Sequence, residues 1–241
     1  MTKPNKIDTT FDFRTDTPEG KDPDSHSATL RRFHRLLWSK SLPNGKRFDL
    51  VDTMPRVYLH HKSDLGEFWL ASDAAIPSFT REQKIRRVIA QIPKKDLDRF
   101  NAIGYTIGGM MLWPGHRVGR KMTINGAKGF HPRIKDRFDL TVECVLRHYS
   151  GMRSPLSETL ERYSEFFRLF GDFRGFVEFF LLQDMVNNDF TGVQFFSPFD
   201  DFHSSPLPQS TDDYASYMAR AIAFIMARNR RMGRYWMSYG A

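Results

Sequence analysis

Apolar residues recur along this chain at two different periods, and the change comes near residue 137. Up to that point, short runs alternate between apolar and polar positions. RFDLV, RVYLHH and EFWLAS, within residues 47–72, predict strands, as do YTIGGMMLW at 105–113 and KMTIN at 121–125, joined by the turn PGHRVG. TTFDFRTD, residues 9–16, predicts a first short strand with Phe11 and Phe13 on one side. Three helical patterns are interleaved with these runs. Ser27–Trp38 places Leu30, Phe33, Leu36 and Leu37 on one side. TREQKIRRVIAQI opens on the capping pair Thr80 and Gln83 and stops at Pro93, and KKDLDRFNAI follows it. The loop TPEGKDPDSHS and the turn LPNG at 42–45 carry the proline, glycine and acid content of chain reversals.

Beyond residue 137 the spacing becomes helical. Phe138, Val142, Val145 and Tyr149 form one stripe; Leu156, Leu160, Tyr163, Phe167 and Phe170 form another, with Ser154 as N-cap and Pro155 at the first helical position. GFVEFFLLQDMV is apolar on nearly every side and predicts a buried helix. VQFF at 193–196 predicts a returning strand, and DDYASYMARAIAFIMARNRR a final helix with a basic last turn. The expected class is α+β: a mixed N-terminal sheet region with helices, then a helical, aromatic-rich C-terminal half. One domain is expected over residues 1–241, frayed over the first ten.

Composition narrows the function classes. With 40% hydrophobic residues, 22 of them Phe, the 241-residue chain can bury a sizeable core, which excludes wholesale disorder. One cysteine, Cys144, excludes an internal disulfide framework and a Cys-rich zinc site. MTKPNKIDTTFDF lacks the apolar stretch of a secretory leader, and the longest apolar run, FVEFFLL, is far too short for a membrane span, so a cytoplasmic protein is expected. The net charge of +8 is unevenly spread: residues 81–137 carry +10, residues 138–213 carry −8 and the last 28 carry +5. Such segregation favours a polyanionic partner for the basic block, RNA or a nucleotide, and no membrane.

The end of that block, RKMTINGAKGFHPRIKDR, is the first candidate site. Its glycines allow close approach of backbone to a ligand, and Asn-Gly is a strong turn signal. Arg120, Lys121, Asn125, Gly126, Lys128 and Arg133 are the expected phosphate-binding residues, on a basic β-turn. Neither a Walker nor a GxGxxG pattern is present. His131, beside Arg133, and His34, between Arg31 and Arg35, are the candidate acid–base residues for metal-independent RNA cleavage. No zinc motif occurs, and no cofactor is expected. The acids Asp12, Asp16, Asp22 and Asp24 are a second candidate, for Mg²⁺ or a general base, with capping of the following helix as the favoured reading. Cys144 is expected to be buried and inert, and the Phe run 166–180 to be core.

Several phrases taken together, FDFRTDTPEGKDPDSHSATLRRFHRLLWSKSLPNG, TINGAKGFHPRIKDRFDLTVECVLRHYSG, SPLSETLERYSEFFRLFGDF and SPLPQ with a C-terminal FIMARNRR, resemble a family of uncharacterised bacterial proteins, a domain of unknown function. The resemblance covers nearly the whole chain and implies no activity. Three functions therefore stand as expectations: an RNA-cleaving toxin or defence effector, a nucleotide-sugar or NAD-using transferase with its pocket at FDFRTD and the loop after it, and a non-catalytic interaction protein with opposed charge faces.

Overall fold

The computed structural model describes residues 7–52, 58–77, 79 and 82–239. The protein is α+β, with small sheets and a helical C-terminal part. In chain order the elements are α1 (Pro23–His26), α2 (Ala28–Trp38), β1 (Lys40–Ser41), β2 (Arg47–Phe48), β3 (Leu59–Ser63), β4 (Gly66–Ala74), α3 (Gln83–Ile89), α4 (Lys94–Gly104), β5 (Met110–Pro114), α5 (Ile124–Phe130), α6 (Phe138–Tyr149), α7 (Ser157–Glu161), α8 (Ser164–Arg168), α9 (Phe173–Phe179) and α10 (Thr211–Tyr239). β1 and β2 form an antiparallel ribbon across the LPNG turn. β3, β4 and β5 form an antiparallel sheet with β4 in the middle; Leu70 lies opposite Leu59 on one side and Pro114 on the other.

β4 alternates as a half-covered central strand should. Phe68, Leu70, Ser72 and Ala74 are buried on one face, while Trp69, Ala71 and Asp73 lie on the other, half-buried. The inner face meets α2, whose buried stripe is Leu30, Phe33, His34, Leu37 and Trp38. α10 closes the core with Tyr214, Tyr217, Met218, Ala221, Phe224, Ile225, Arg228 and Met232, a run of three- and four-residue steps. Arg228 occupies an apolar position in that stripe, and its charge is satisfied by carbonyls: it donates to Gly108 O (3.0 Å), Met110 O (2.8 Å) and Phe180 O (2.9 Å). The approach of α10 is close enough that a Cβ at Gly108 would stand 2.5 Å from Ile225 O, so only glycine fits there. The Phe run lies in the core as expected: Phe166, Phe167, Phe170, Phe176, Phe179 and Phe180 are buried and pack ring against ring.

The structure corrects several element assignments. TTFDFRTD is not a strand: Asp12 Oδ1 accepts from Arg14 N at 3.0 Å and caps a single 3-10 turn, Phe13–Asp16. KMTIN is not a strand, and no hairpin follows it. Thr123 caps α5 by accepting from Gly126 N at 3.2 Å, so Asn125 and Gly126 lie in the first turn of a helix. The stretch 154–170 breaks into α7 and α8, with Ser154 in the turn before α7. VQFF contributes only one bridge, Val193 to Val186. The first six residues, Arg56 and Val57 of RVYLHH, and the Thr80 half of the capping pair lie outside the described residues. No helix among the described residues is long and apolar enough to cross a membrane.

Candidate functional site: an acid-floored cleft on the outer face of the sheet

The outer face of β4 forms the floor of a cleft of about 880 Å³. Its walls come from four places: the loop and first turn at Gly20–Asp24, the residues Ile76, Phe79 and Glu82, the α5 residues Asn125, Gly126, Gly129 and Phe130, and the pair Lys135–Asp136. Tyr105 completes it. The loop acids and the glycine-bearing segment, about 100 residues apart in sequence, thus share one cavity.

Local rules set each side chain in place. Asp22 caps α1 by accepting from Asp24 N at 3.0 Å, with Pro23 in the first turn. That turn points Asp24 at the sheet, where its Oδ2 accepts from Ala74 N at 3.1 Å. On α5, Asn125 and Lys128 are three apart and so share a face. Asn125 donates to Ser72 O, and one turn on Lys128 reaches Asp73, Nζ to Oδ2 2.6 Å, and Asp136. Asp136 also closes the helix, its N–H donating to Lys128 O at 2.9 Å. Lys135 and Asp136 both have positive φ, 48° and 66°, an uncommon backbone state for two consecutive side-chain-bearing residues. Both are held by ion pairs, Lys135 to Glu82 and Asp136 to Lys128.

The charge states follow from these contacts. Lys128 is fully buried; burial works against its ammonium, but Asp73 and Asp136 outweigh it and raise its pKa above the ordinary lysine value. Burial raises Asp73 to about 6 even with Lys128 beside it, Asp136 and Asp22 adding to the rise. Asp24 is raised well above the usual carboxylate range, first by burial and then by Asp73 and Asp22. Among the described residues Asp24 has no ion-paired cation, whereas Asp73 has Lys128, so of the two carboxyl groups Asp24 holds its proton more tightly. Tyr105 is pushed up to about 12 by burial and by Asp24.

Two buried oxygens in the cleft have no hydrogen-bond partner among the described residues: Asp24 Oδ1 and Asn125 Oδ1. Asp73 Oδ2 faces only Lys128, at ion-pair distance but outside hydrogen-bond alignment. Buried polar atoms are nearly always satisfied, so these oxygens call for hydrogen-bond donors from within the cavity, water or a bound molecule. Five acids line the cleft or its floor (Asp22, Asp24, Asp73, Glu82, Asp136) against Lys21, Lys128 and Lys135. The balance is acidic.

The family model that matches the chain runs from residue 7 to residue 232, between Ile7 and Met232, the first and last buried residues among those described. The chain belongs to a family of unknown function, DUF6994. No match was found among curated proteins or among solved structures. In this DUF6994 protein the residues singled out by composition are dispersed. Asn125 and Gly126 line the cleft. Lys128 lies beneath it, enclosed between carboxylates, so it is not an open phosphate ligand. Arg120 and Lys121 are exposed on the loop before α5. Arg133 donates to His203 O and lines a separate cavity of about 480 Å³. His131 is the C-cap of α5, accepts from Arg133 N at 3.2 Å and lines a third cavity with His148.

His34 is corrected outright. It lies on the inner face, fully buried; Trp38 Nε1 donates to its Nδ1 at 3.0 Å, so its Nε2 carries the proton and donates to Ser72 Oγ at 3.0 Å. Burial and Arg228 lower it to about 3. It has neither the access nor the pKa of a general base. Of the N-terminal acids, Asp12 and Asp16 cap, as favoured, Asp16 accepting from Ser27 Oγ (2.5 Å) and Thr29 N (2.9 Å). Cys144 is buried, and its thiol is pushed up to about 12 by burial. Asp73, the residue that pairs with Asp24, was missed. The available signal was the second acid of EFWLASDA, Asp73, set among small and apolar residues and out of step with the buried positions of that strand.

Proposed function

We propose that the cleft binds a small molecule rich in N–H or O–H donors and not itself anionic, and that Asp24 and Asp73 act on it as general acid and general base. The observation that carries this reading is the set of acceptors left open in one cavity: Asp24 Oδ1 and Asn125 Oδ1, on an acidic floor. An acceptor needs a donor, and a net acidic wall disfavours phosphate and favours an amine, a guanidine or a hydroxyl-rich compound. Two carboxyl groups with divergent environments, one protonated and one held ionised by Lys128, suit proton transfer near neutral pH. The apolar wall of Ile76, Phe79 and Phe130 would cover the non-polar face of such a molecule.

The test is a thermal-shift panel on the full chain: an amino sugar, a polyamine, a guanidine and a neutral polyol, beside nucleotides and RNA. The reading expects a compound of the first group to raise Tm in the wild-type chain and not in Asp24→Asn, since saturating ligand stabilises the folded state by mass action. A shift by nucleotides or RNA that survives Asp24→Asn, with none from the donor-rich group, would overturn it.

A nucleic-acid reading has one observation in its favour. Arg117, Arg120 and Lys121 are exposed, with no ion pair to any described acid, on the loop between β5 and α5. It would place RNA outside the cleft, and salt-sensitive binding lost in Arg120→Ala/Lys121→Ala would support it.

A further inference from the structure

Lys40 stands apart from the cleft, on β1, and no other contact described so far uses it. Its Nζ faces three aromatic rings: Tyr235 at 4.5 Å from the centroid, Phe179 at 4.7 Å and Trp38 at 5.1 Å. No described acid makes an ion pair with it; the charged neighbour that shifts it is Arg228, whose guanidinium reaches the same indole at 6.0 Å. Lys40 lines a cavity of about 470 Å³ that Asp172, Arg174 and Glu178 also border. Ring faces attract a cation and so favour the ammonium. Burial and Arg228 act in the opposite direction and lower Lys40 to about 7, so that about half of it is free amine at neutral pH. An amine lone pair bordering a cavity is a nucleophile suited to carbonyl carbon.

We propose that Lys40 anchors a second site, which takes a small aldehyde or ketone as an imine. The Nζ lone pair adds to the carbonyl carbon, and the C=O π electrons move to oxygen. Nζ gives up both of its protons, by way of solvent, to that oxygen, which leaves as water while the nitrogen lone pair forms the C=N bond. The step needs no oxidant or reductant, and water reverses it.

The experiment treats the full chain with propionaldehyde and cyanoborohydride at a series of pH values and maps the alkylated lysines by peptide mass spectrometry. Cyanoborohydride supplies the hydride that traps the imine. Lys94, whose side chain is 87% exposed, is the internal reference. At pH 7 Lys40 should be alkylated at least about tenfold faster than Lys94, given an ordinary lysine pKa near 10.4. Its rate should level off above about pH 7, where that of Lys94 still climbs. Tyr235→Leu, which opens the ring cluster to water, should slow Lys40 and leave Lys94 unchanged. Alkylation of Lys40 at the rate of Lys94 or below, with both rates climbing together toward pH 10, would overturn the proposal. Because the readout is taken on the wild-type chain, it does not depend on any variant folding.

Discussion

The two faces of β4 handle buried polarity in opposite ways. On the inner face, Ser72 meets His34, His34 meets Trp38, and the chain of hydrogen bonds is closed. Adjacent in sequence and opposite in direction, Asp73 meets Lys128 and Asp136, with Asp24 and Asn125 left with open oxygens. The period of a strand enforces this division, because successive side chains leave on opposite sides. What it teaches is where to look for function. A histidine among arginines on a helix becomes part of the core, held neutral by burial. An acid in an apolar strand becomes one of two interacting buried carboxyl groups. The His34 network on the inner face ties β4 to α2, while on the outer face Asp24 and Asn125 keep acceptors open.

Breaking the outer face at its cation should have the largest effect. Lys128→Met leaves Asp73 and Asp136 facing each other without a counter-charge and should cost about 3–5 kcal/mol at neutral pH, read by urea unfolding. The loss should shrink at pH 4, where the carboxyl groups take up protons. On the inner face, His34→Leu removes an acceptor from Trp38 Nε1 and a donor to Ser72 and should cost about 1–3 kcal/mol. Its cost should be smaller at pH 5 than at pH 8: folded His34, lowered to about 3, stays neutral, while the unfolded imidazole, near 6.5, takes up a proton at pH 5 and lowers wild-type stability there.

Asp24→Asn should sharpen the contrast by changing sign. It keeps an oxygen for Ala74 N and removes a carboxyl that burial and Asp73 oppose, so stability at pH 8 should rise by about 1 kcal/mol. The pH dependence follows the same logic. Asp73 is raised in the folded state to about 6, above the unfolded carboxylate near 3.9, so the folded chain binds the extra proton. Its contribution is therefore fully present below about pH 4 and is lost as pH rises through about 6. Asp73→Asn should flatten the wild-type stability profile across that window. The smallest effect is expected outside both faces: Arg120→Ala/Lys121→Ala should change stability by no more than about 0.5 kcal/mol.

Periodicity carried the fold a long way. The α2 and α10 stripes were legible because each buries one continuous face, α6 because its apolar stripe runs through a helix buried on all sides over its first two turns, and β4 because its alternation is clean. α5 was not legible. Asn-Gly reads as a hairpin turn on local grounds, and only Thr123 at the cap and Lys128 facing the sheet decide for a helix. The site was half legible. Asn125, Gly126 and Lys128 were singled out for their basic, glycine-bearing setting, and two of them line the cleft. The charge arithmetic did not single out binding residues: of the 14 Lys/Arg in residues 81–137, Lys94, Lys128, Lys135 and Arg137 are held in ion pairs, the first three with acids of the same stretch, Asp98, Asp136 and Glu82. Asp24 was discounted because capping explains most loop acids, and here it explains Asp12, Asp16 and Asp22. Its partner on the sheet, the Ala74 amide, lies 50 residues further on, beyond any local pattern.

The most direct measurement is a carboxyl-detected NMR titration of Asp24 and Asp73 in the ligand-free protein. The account predicts that Asp73 titrates near 6 and that Asp24 keeps its proton well above the ordinary carboxylate range. Asp73→Asn should bring Asp24 part of the way down. Two independent titrations near pH 4, unmoved by substitution of the neighbour, would contradict an interacting carboxyl pair and with it the acid–base role proposed for the cleft.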